Sequence, residues 1–386
     1  IYAAIETAVN DWISDSKKGK PTGSSVYEKI TPLFEITNEG PNRTEGFENL
    51  GYTYSGFEFF NRMVTTVDGK ERGQAVAVFG NGFGGDKSTL FFVDAYTGEK
   101  LHEIVLDPKG KGASTPSIVV TNDGAGQKLN RIYVGDYSGT LYKVQFNGED
   151  FDSDSATVTA LFKAPETNFG QSAIAVKPLV VKNPKTELYQ VFFGTGLAAS
   201  MELDRYDNSL VTHALYGITD GLNKAIGDSQ KSVTESNKAV PPLFTVNNLK
   251  EGRVKYREGE TPNYEELDEH ALTTINPVEN PNESSPNGND NGWYIILSAD
   301  NDDKGKVGEK GSGELVIINP KYDSVNKAVV FSTWGIKERG SKVDPTALDD
   351  PCMSDLAFGK ILSFYAATGG GSYDISLANK GKTGAA

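Results

Sequence analysis

The sequence predicts an all-β chain of radially repeated hairpins, most simply a β-propeller. Residues 131–144 read Arg-Ile-Tyr-Val-Gly-Asp-Tyr-Ser-Gly-Thr-Leu-Tyr-Lys-Val, two short alternating strands around a polar, glycine-containing turn. Residues 91–101 and 362–369 carry related units. An aromatic content of 10% with 42 glycines suits many short strands joined by tight turns. At roughly 45–50 residues per four-stranded blade, a chain of 386 residues holds about seven blades.

Along the chain, Ile1, Ile5, Ala8, Val9 and Trp12 recur at helical spacing, and residues 16–25 read as a linker. Residues 1–25 are therefore expected to be an N-terminal helix and linker, the end of an upstream region. An opening at Ile1, with neither Met nor a signal peptide, carries the same expectation. Residues 26–386 form the expected propeller domain. Its strands are read at residues 75–79, 90–94, 117–121, 132–135, 141–146, 174–181, 189–193 and 215–219. Residues 224–291 are polar and rich in Glu, Asn and Pro, and predict a surface insertion, with strand character only at 243–246 and 253–256. Strands return at 293–297, 314–318, 328–333 and 361–365.

A formal charge of −14 argues against nucleic acid or an anionic membrane as partner, because both require a Lys/Arg-rich surface. No apolar run is long enough to span a bilayer. Cys352 is the single cysteine, so no intramolecular disulfide can form.

The motifs, taken in order, resemble the C-terminal domain of the PilC/PilY family, tip-associated proteins of bacterial type IV pili. The resemblance rests on Val78-Phe79-Gly80-Asn81-Gly82, then Phe92-Val93-Asp94-Ala95-x-Thr97-Gly98, then Ser114-Thr115-Pro116-Ser117. Tyr133-Val134-Gly135-Asp136, Gly139-x-Leu141-Tyr142-Lys143, Phe193-Gly194-Thr195-Gly196 and Leu215-Tyr216-Gly217-Ile218-x-Asp220 follow. Gly292-Trp293-Tyr294, Asp350-Pro351-Cys352 and Ala366-Ala367-Thr368-Gly369-Gly370 complete the series; Pro32-Leu33-Phe34-Glu35 and residues 50–55 fit upstream. Collinear coverage runs over about residues 32–370. The resemblance implies a modified, quinoprotein-like propeller, secreted to the pilus tip or outer-membrane surface of a Gram-negative bacterium. It implies roles in pilus biogenesis, twitching motility, adhesion and virulence. Pilins and minor pilins, and a host-cell surface receptor, are the implied partners. The matched glycines read as turn, bulge or close-approach positions, and Asp94 and Asp136 as acceptors of turn hydrogen bonds.

The family's calcium loop, Asp-x-(Asp/Asn)-x-Asp-x-x-x-Asp, falls here on Asn122, Gly124, Gly126 and Asn130, which offer no carboxylate. Calcium takes six to eight oxygens, so two other acidic loops are the candidate sites. Asp150, Asp152 and Asp154 occupy positions one, three and five of a calcium loop, with Ser155 at six and Leu161 at twelve. Asp300 and Asp302 begin a second loop with Gly305 at six but Lys304 at five. The first ranks ahead of the second. By resemblance, calcium would tune pilus extension against retraction.

The competing reading is a quinoprotein-type oxidoreductase, which shares the propeller and the Asp-Ala-x-Thr-Gly turn at residues 94–98. Such enzymes stack a quinone on Trp, many beside a vicinal cysteine pair, whereas this chain has three Trp and one Cys. His102, His213 and His270 lack metal-ligand spacing, and no Gly-x-Ser-x-Gly or phosphate-cradling loop occurs. Cys352 shows no sign of thiolate activation. The expected protein is non-enzymatic. Arg72-Gly73 is followed by Gln74 and Arg339-Gly340 by Ser341, so integrin binding through Arg-Gly-Asp is not expected.

Overall fold

A computed structural model describes residues 33–41, 43–122, 126–147, 151, 156–165, 173–183, 188–196, 213–220, 244–255, 274–275, 292–297, 314–324, 327–336 and 357–366. The first two sheets are four-stranded antiparallel meanders. One comprises β1 (Glu58–Thr65), β2 (Glu71–Gly80), β3 (Ser88–Asp94) and β4 (Lys100–Asp107). The other comprises β5 (Ser117–Asn122), β6 (Gln127–Gly135), β7 (Thr140–Phe146) and β8 (Ala156–Lys163). The third sheet takes in β9 (Leu179–Lys182), β10 (Tyr189–Gly194), β11 (His213–Asp220), β12 (Lys250–Lys255), β13 (Thr274–Ile275) and β14 (Gly292–Leu297), in the order β13-β12-β14-β11-β10-β9. The fourth is β15 (Glu314–Asp323), β16 (Ala328–Ile336) and β17 (Ala357–Tyr365).

The sheets stack face to face in chain order, because their strands are apolar on both faces. Between sheets one and two lie Phe60, Val76, Val78 and Phe92 against Ile132, Val134 and Val144. Tyr133, Leu141 and Phe162 meet Val191, Phe193 and Tyr216 between sheets two and three. Phe192, Leu215 and Trp293 meet Phe331 and Phe364 between three and four, where the Trp293 indole N–H also donates to the Ala366 carbonyl at 2.9 Å. A fully buried Phe contributes about 1.5–3 kcal/mol, so these interfaces hold the sheets as one body. First strands touch in series, β1 to β5, β5 to β9 and β9 to β15. Serial contact of first strands is the arrangement that the innermost strands of propeller blades make.

A repeated backbone latch fixes the spacing of the blades. The second strands of the first three sheets end at Gly80, Gly135 and Gly194. Each is followed by a buried polar residue, Asn81, Asp136 or Thr195. Residues 113–114, which lead into β5, accept from the Gly82 N–H (2.9 Å) and donate to the Gly135 carbonyl (2.9 Å). Residues 173–174, which lead into β9, donate to the Asp136 carbonyl (2.9 Å) and accept from the Gly196 N–H (2.9 Å). Each lead-in is thus bonded to the sheet before it and to its own. The approach needs glycine: a Cβ on Gly80 would stand 2.2 Å from the Ser114 carbonyl oxygen, and one on Gly135 2.4 Å from that of Ile174.

The expected strands are found, with differences that have local causes. The stretch expected at 174–181 is a strand only over Leu179–Lys182. Ile174 makes a single bridge to Gly196, and Pro178 has no N–H to extend a ladder. The strand expected at 243–246 is instead a bridge from Phe244 to Phe162 and a 3-10 helix at Val246–Asn248. Inside the expected insertion, β12 pairs parallel with β14, and Phe244 and Leu249 are buried in the core between sheets two and three. That part of residues 224–291 belongs to the third sheet. β1, β4, β8 and β13 are additional strands; β1 alternates Phe60, Arg62 and Val64 inward with exposed Phe59 and Met63. Residues 1–25 lie outside the described residues. No described helix is long and apolar enough to cross a membrane.

The latch can be tested within one strand, since Gly73 also lies in β2 but a Cβ there would meet nothing within 4 Å. Gly80→Ala should lose about 3 kcal/mol or more by chemical denaturation, as expected for overpacking against backbone. Gly73→Ala should hold parental stability or gain up to about 1 kcal/mol.

Candidate functional site

Asp150, Asp152, Asp154, Asp300 and Asp302 lie outside the described residues. Phe151, within the first acidic loop, is buried between sheets one and two. Its ring stacks on Phe92 (centroids 5.0 Å) and meets Phe60 edge-on (5.6 Å), with the Arg62 guanidinium 4.4 Å above it. An apolar anchor in that loop was not read from the sequence, because three flanking carboxylates dominate its character. At the family's calcium-loop position, exposed Asn122 ends β5 and pairs with Gln127. Asn130 accepts from Arg131 Nε at 2.8 Å. Among the described residues, no three His, Cys, Asp or Glu side chains are gathered where they could hold a metal. His102 lies half-buried in β4, its ring 6.1 Å from that of Phe92. His213 opens β11; His270 and Cys352 lie outside the described residues.

The buried acids hold turns and blades together. Asp94 ends the third strand of sheet one and Asp136 follows the second strand of sheet two, and each closes a tight hairpin. The Asp94 carboxylate accepts from the N–H groups of Tyr96 (2.9 Å) and Thr97 (3.0 Å) and from Gln74 Nε2 (2.9 Å). Asp136 accepts from the N–H groups of Ser138 (3.0 Å) and Thr140 (2.8 Å) and from the Ser138 hydroxyl (2.7 Å). Both hairpins close through a glycine at positive φ, Gly98 at 74° and Gly139 at 85°, a conformation glycine adopts without penalty. Asp136 does more than close its turn: the Ser88 hydroxyl of sheet one donates to it at 2.9 Å across the blade interface.

Asp220, at the end of β11, joins the next interface. Its carboxylate accepts from Lys143 Nζ (2.8 Å), from the Tyr133 hydroxyl (2.6 Å) and from Arg131 (3.4 Å), all on sheet two. The Arg131 guanidinium also lies 4.4 Å over the Tyr189 ring of sheet three. Burial, and then the Asp220 charge, push the Tyr133 hydroxyl far above its ordinary range, so it stays a donor.

Environment drives the two turn carboxyls apart. Burial raises Asp94, but its hydrogen bonds from Gln74, Tyr96 and Thr97 outweigh burial and hold it below the usual range. Asp136 is more deeply enclosed, and burial pushes it up despite its bonds to Ser138, Thr140 and Ser88.

An open cavity of about 560 Å³ lies on the face of sheet one turned away from sheet two. Ala75, Ala77 and Phe79 of β2, with Phe57, Phe59 and Tyr96, are among the residues that line it. Phe34 and Ile36, from the chain ahead of β1, also line it. It is apolar and offers no acid–base pair to a substrate; its chemistry is that of contact with another apolar surface.

No family model matches the chain. Over 212 residues, 48% of this chain, it is 27% identical to the type IV pilus biogenesis factor PilY1 of Pseudomonas aeruginosa (strain UCBPP-PA14). The crystal structure of the P. aeruginosa PilY1 C-terminal domain matches with a TM-score of 0.52 and 21% identity, covering 83% of this chain and 60% of that one. In sequence and in fold, the chain is like the C-terminal domain of the PilC/PilY family. The described sheets are β-propeller-like, as in PilY1. The chain spans 17% of the length of the curated PilY1 it matches.

The opposed carboxyls give opposite pH dependences. Asp94, lowered on folding, contributes stability that is present above the unfolded carboxyl value of about 3.9 and is lost as pH falls through its folded value. Asp136, raised on folding, contributes stability that is complete below that unfolded value and is lost as pH rises through its folded value. The cost of Asp94→Asn, from melts between acid and neutral pH, should therefore shrink toward acid, while that of Asp136→Asn shrinks toward neutral. Slopes of the same sign would refute this assignment.

For the cluster at the next interface, Asp220→Ala leaves Lys143 and Arg131 without their buried counter-ion. It should cost about 3–5 kcal/mol at neutral pH in denaturant unfolding.

Proposed function

We propose that this chain is a non-enzymatic, cell-surface protein that promotes type IV pilus biogenesis, and with it twitching motility and adhesion to host cells. The observation that carries this reading is the joint likeness, in sequence and in fold, to PilY1, a type IV pilus biogenesis factor. The described residues are consistent with it: Asp94, Asp136 and Asp220 are engaged in holding turns and blades, and the cavity on sheet one is apolar. Pilins and minor pilins are the proposed partners, with a host-cell receptor for adhesion. The proposed location is secreted, at the pilus tip or outer-membrane surface. A closed, quinoprotein-like ring is part of the same reading; serial stacking of sheets supports a ring, while a count of about seven blades rests on chain length alone.

Calcium modulation belongs to this reading, at Asp150, Asp152 and Asp154 or at Asp300 and Asp302. The first loop is favoured because Phe151 ties it to the core between sheets one and two. Cation binding there would act directly on a blade interface.

A strain lacking this protein should lose surface pili and twitching, and the parent gene should restore both. Normal piliation and twitching without it would overturn the assignment. Melting in millimolar calcium against chelator should show stabilisation, about 2.7 kcal/mol where free calcium is a hundredfold above the dissociation constant. Asp150→Ala/Asp152→Ala should abolish the shift. Loss only on Asp300→Ala/Asp302→Ala would assign the second loop, and no shift in the parent would remove calcium from the function.

A further inference from the structure

We propose that an aromatic platform at the strand ends of the first two sheets binds an acidic saccharide, a sugar that carries a carboxylate. Tyr52, Tyr54 and Phe83 stand there at 65%, 56% and 38% exposure. The Tyr52 and Tyr54 rings lie 6.4 Å apart and 29° from parallel. Phe83 rests edge-on against Tyr137 of the second sheet's turn at 5.3 Å. Scattered exposed aromatics are ordinary, but three gathered at one place mark a contact surface. The platform lies where residues 51–55, 81–87 and 109–112 meet, at the ends of strands. Blades in a ring cover one another's lateral faces and leave this end to solvent.

The backbone holds these rings in place before any ligand arrives. Tyr52 and Phe83 exchange N–H···O=C bonds of 2.7 and 3.0 Å, and the Tyr54 N–H donates to the Tyr52 carbonyl at 3.0 Å. Gly84 and Gly112 take φ of 83° and 102°, a conformation that side chains disfavour. A Cβ on Gly112 would stand 1.8 Å from the Gly82 carbonyl oxygen, and one on Gly84 would meet the Tyr52 ring at 3.5 Å. Glycine thus leaves the rings without flanking side chains, and the bonded loops have little left to order on binding.

The chemistry of the platform selects its ligand. An aromatic face is electronegative, and a tyrosine adds a polar edge. A pyranose matches both, with weakly positive C–H groups on a ring face and hydroxyls around the rim. Tyrosine also supplies this contact area at low entropic cost. Charge sets the second requirement. Lys109 and Lys111 are exposed on a segment whose Gly110 and Gly112 pack against Ser88 and Gly82. Against them stand exposed Asp86 and half-buried Asp107, and Asp107 already accepts from the Lys109 N–H at 2.8 Å. Half-buried Lys87 adds a third cation, so the local charge is positive in a chain of formal charge −14. The whole-chain charge repels a nucleic acid, an anionic membrane or a second copy, whereas two exposed ammonium groups receive a single carboxylate.

Such binding gives the adhesive part of the proposed function a ligand class and rests on that part alone; piliation is tested separately, so either can fail without the other. The test is saturation-transfer NMR and titration of the full chain with sialyllactose, trigalacturonate and lactose. An acidic probe should bind at millimolar concentration or below, more tightly than lactose, with transfer strongest at its C–H protons. Tyr52→Ala/Tyr54→Ala should weaken that binding about tenfold or more, the loss expected of two ring contacts. Lys109→Gln/Lys111→Gln should bring the acidic probe down to the level of lactose. All four side chains are exposed, so both variants should melt as the parent does. No transfer from any probe would overturn the proposal, as would binding that survives Tyr52→Ala/Tyr54→Ala, or lactose bound as tightly as the acidic probes by the parent. Dimers that dissociate on Tyr52→Ala/Tyr54→Ala would also overturn it, assigning the platform to a second copy.

Discussion

The close passage of backbone at the ends of the second strands is the constraint on which the remaining structure depends. A lead-in segment must lie against Gly80 and Gly135 closely enough to bond main chain to main chain. A side chain at either glycine would move the next sheet outward by more than an ångström. The apolar faces between sheets would then part, and close packing forfeits much of its attraction over such a gap. Hydrogen bonds set the spacing; apolar burial supplies most of the free energy once that spacing holds.

The buried polar residues belong to the same design. Asn81 accepts from the N–H groups of Thr89 and Ala113 and donates to the carbonyls of Asn49 and Lys87, so one side chain joins strand, loop and lead-in. Asp136 takes the same place in sheet two, closes its turn and reaches Ser88 across the interface. Asp220 brings a charge to the following interface, with Lys143 and Arg131 opposite. A buried ion pair adds little net stability over an apolar replacement. Its effect here is on register, since the anion on sheet three has its cations at one place on sheet two.

Much of this architecture was legible in the sequence. The hairpin read at residues 131–144 lies within β6 and β7, which extend it to Gln127 and Phe146; period-two alternation and an Asp-x-x-Gly turn are both local signals. What was not legible depends on partners distant in the chain. Asp220 reads as the last residue of a strand, and its role comes from residues 77 and 89 positions away. β1 was hidden because Arg62 occupies an inward position, where its guanidinium covers Phe151. A charged residue breaks the apolar alternation although its stem is buried. Phe244 and Leu249 likewise vanish within a polar stretch, yet each enters the core between sheets two and three.

The blade interfaces also explain how a surface loop could reach the fold. Phe151 sits within the acidic stretch 150–154, and its ring is enclosed by Phe60 and Phe92 of sheet one. A loop held only at its strand ends would absorb a change of charge by moving its own backbone. Here movement must either drag an aromatic ring from the core or shift the strands that hold it, and large-to-void changes in a core cost several kcal/mol. The second route reaches β1, which carries Phe60 on one face and Phe59, a lining residue of the apolar cavity, on the other.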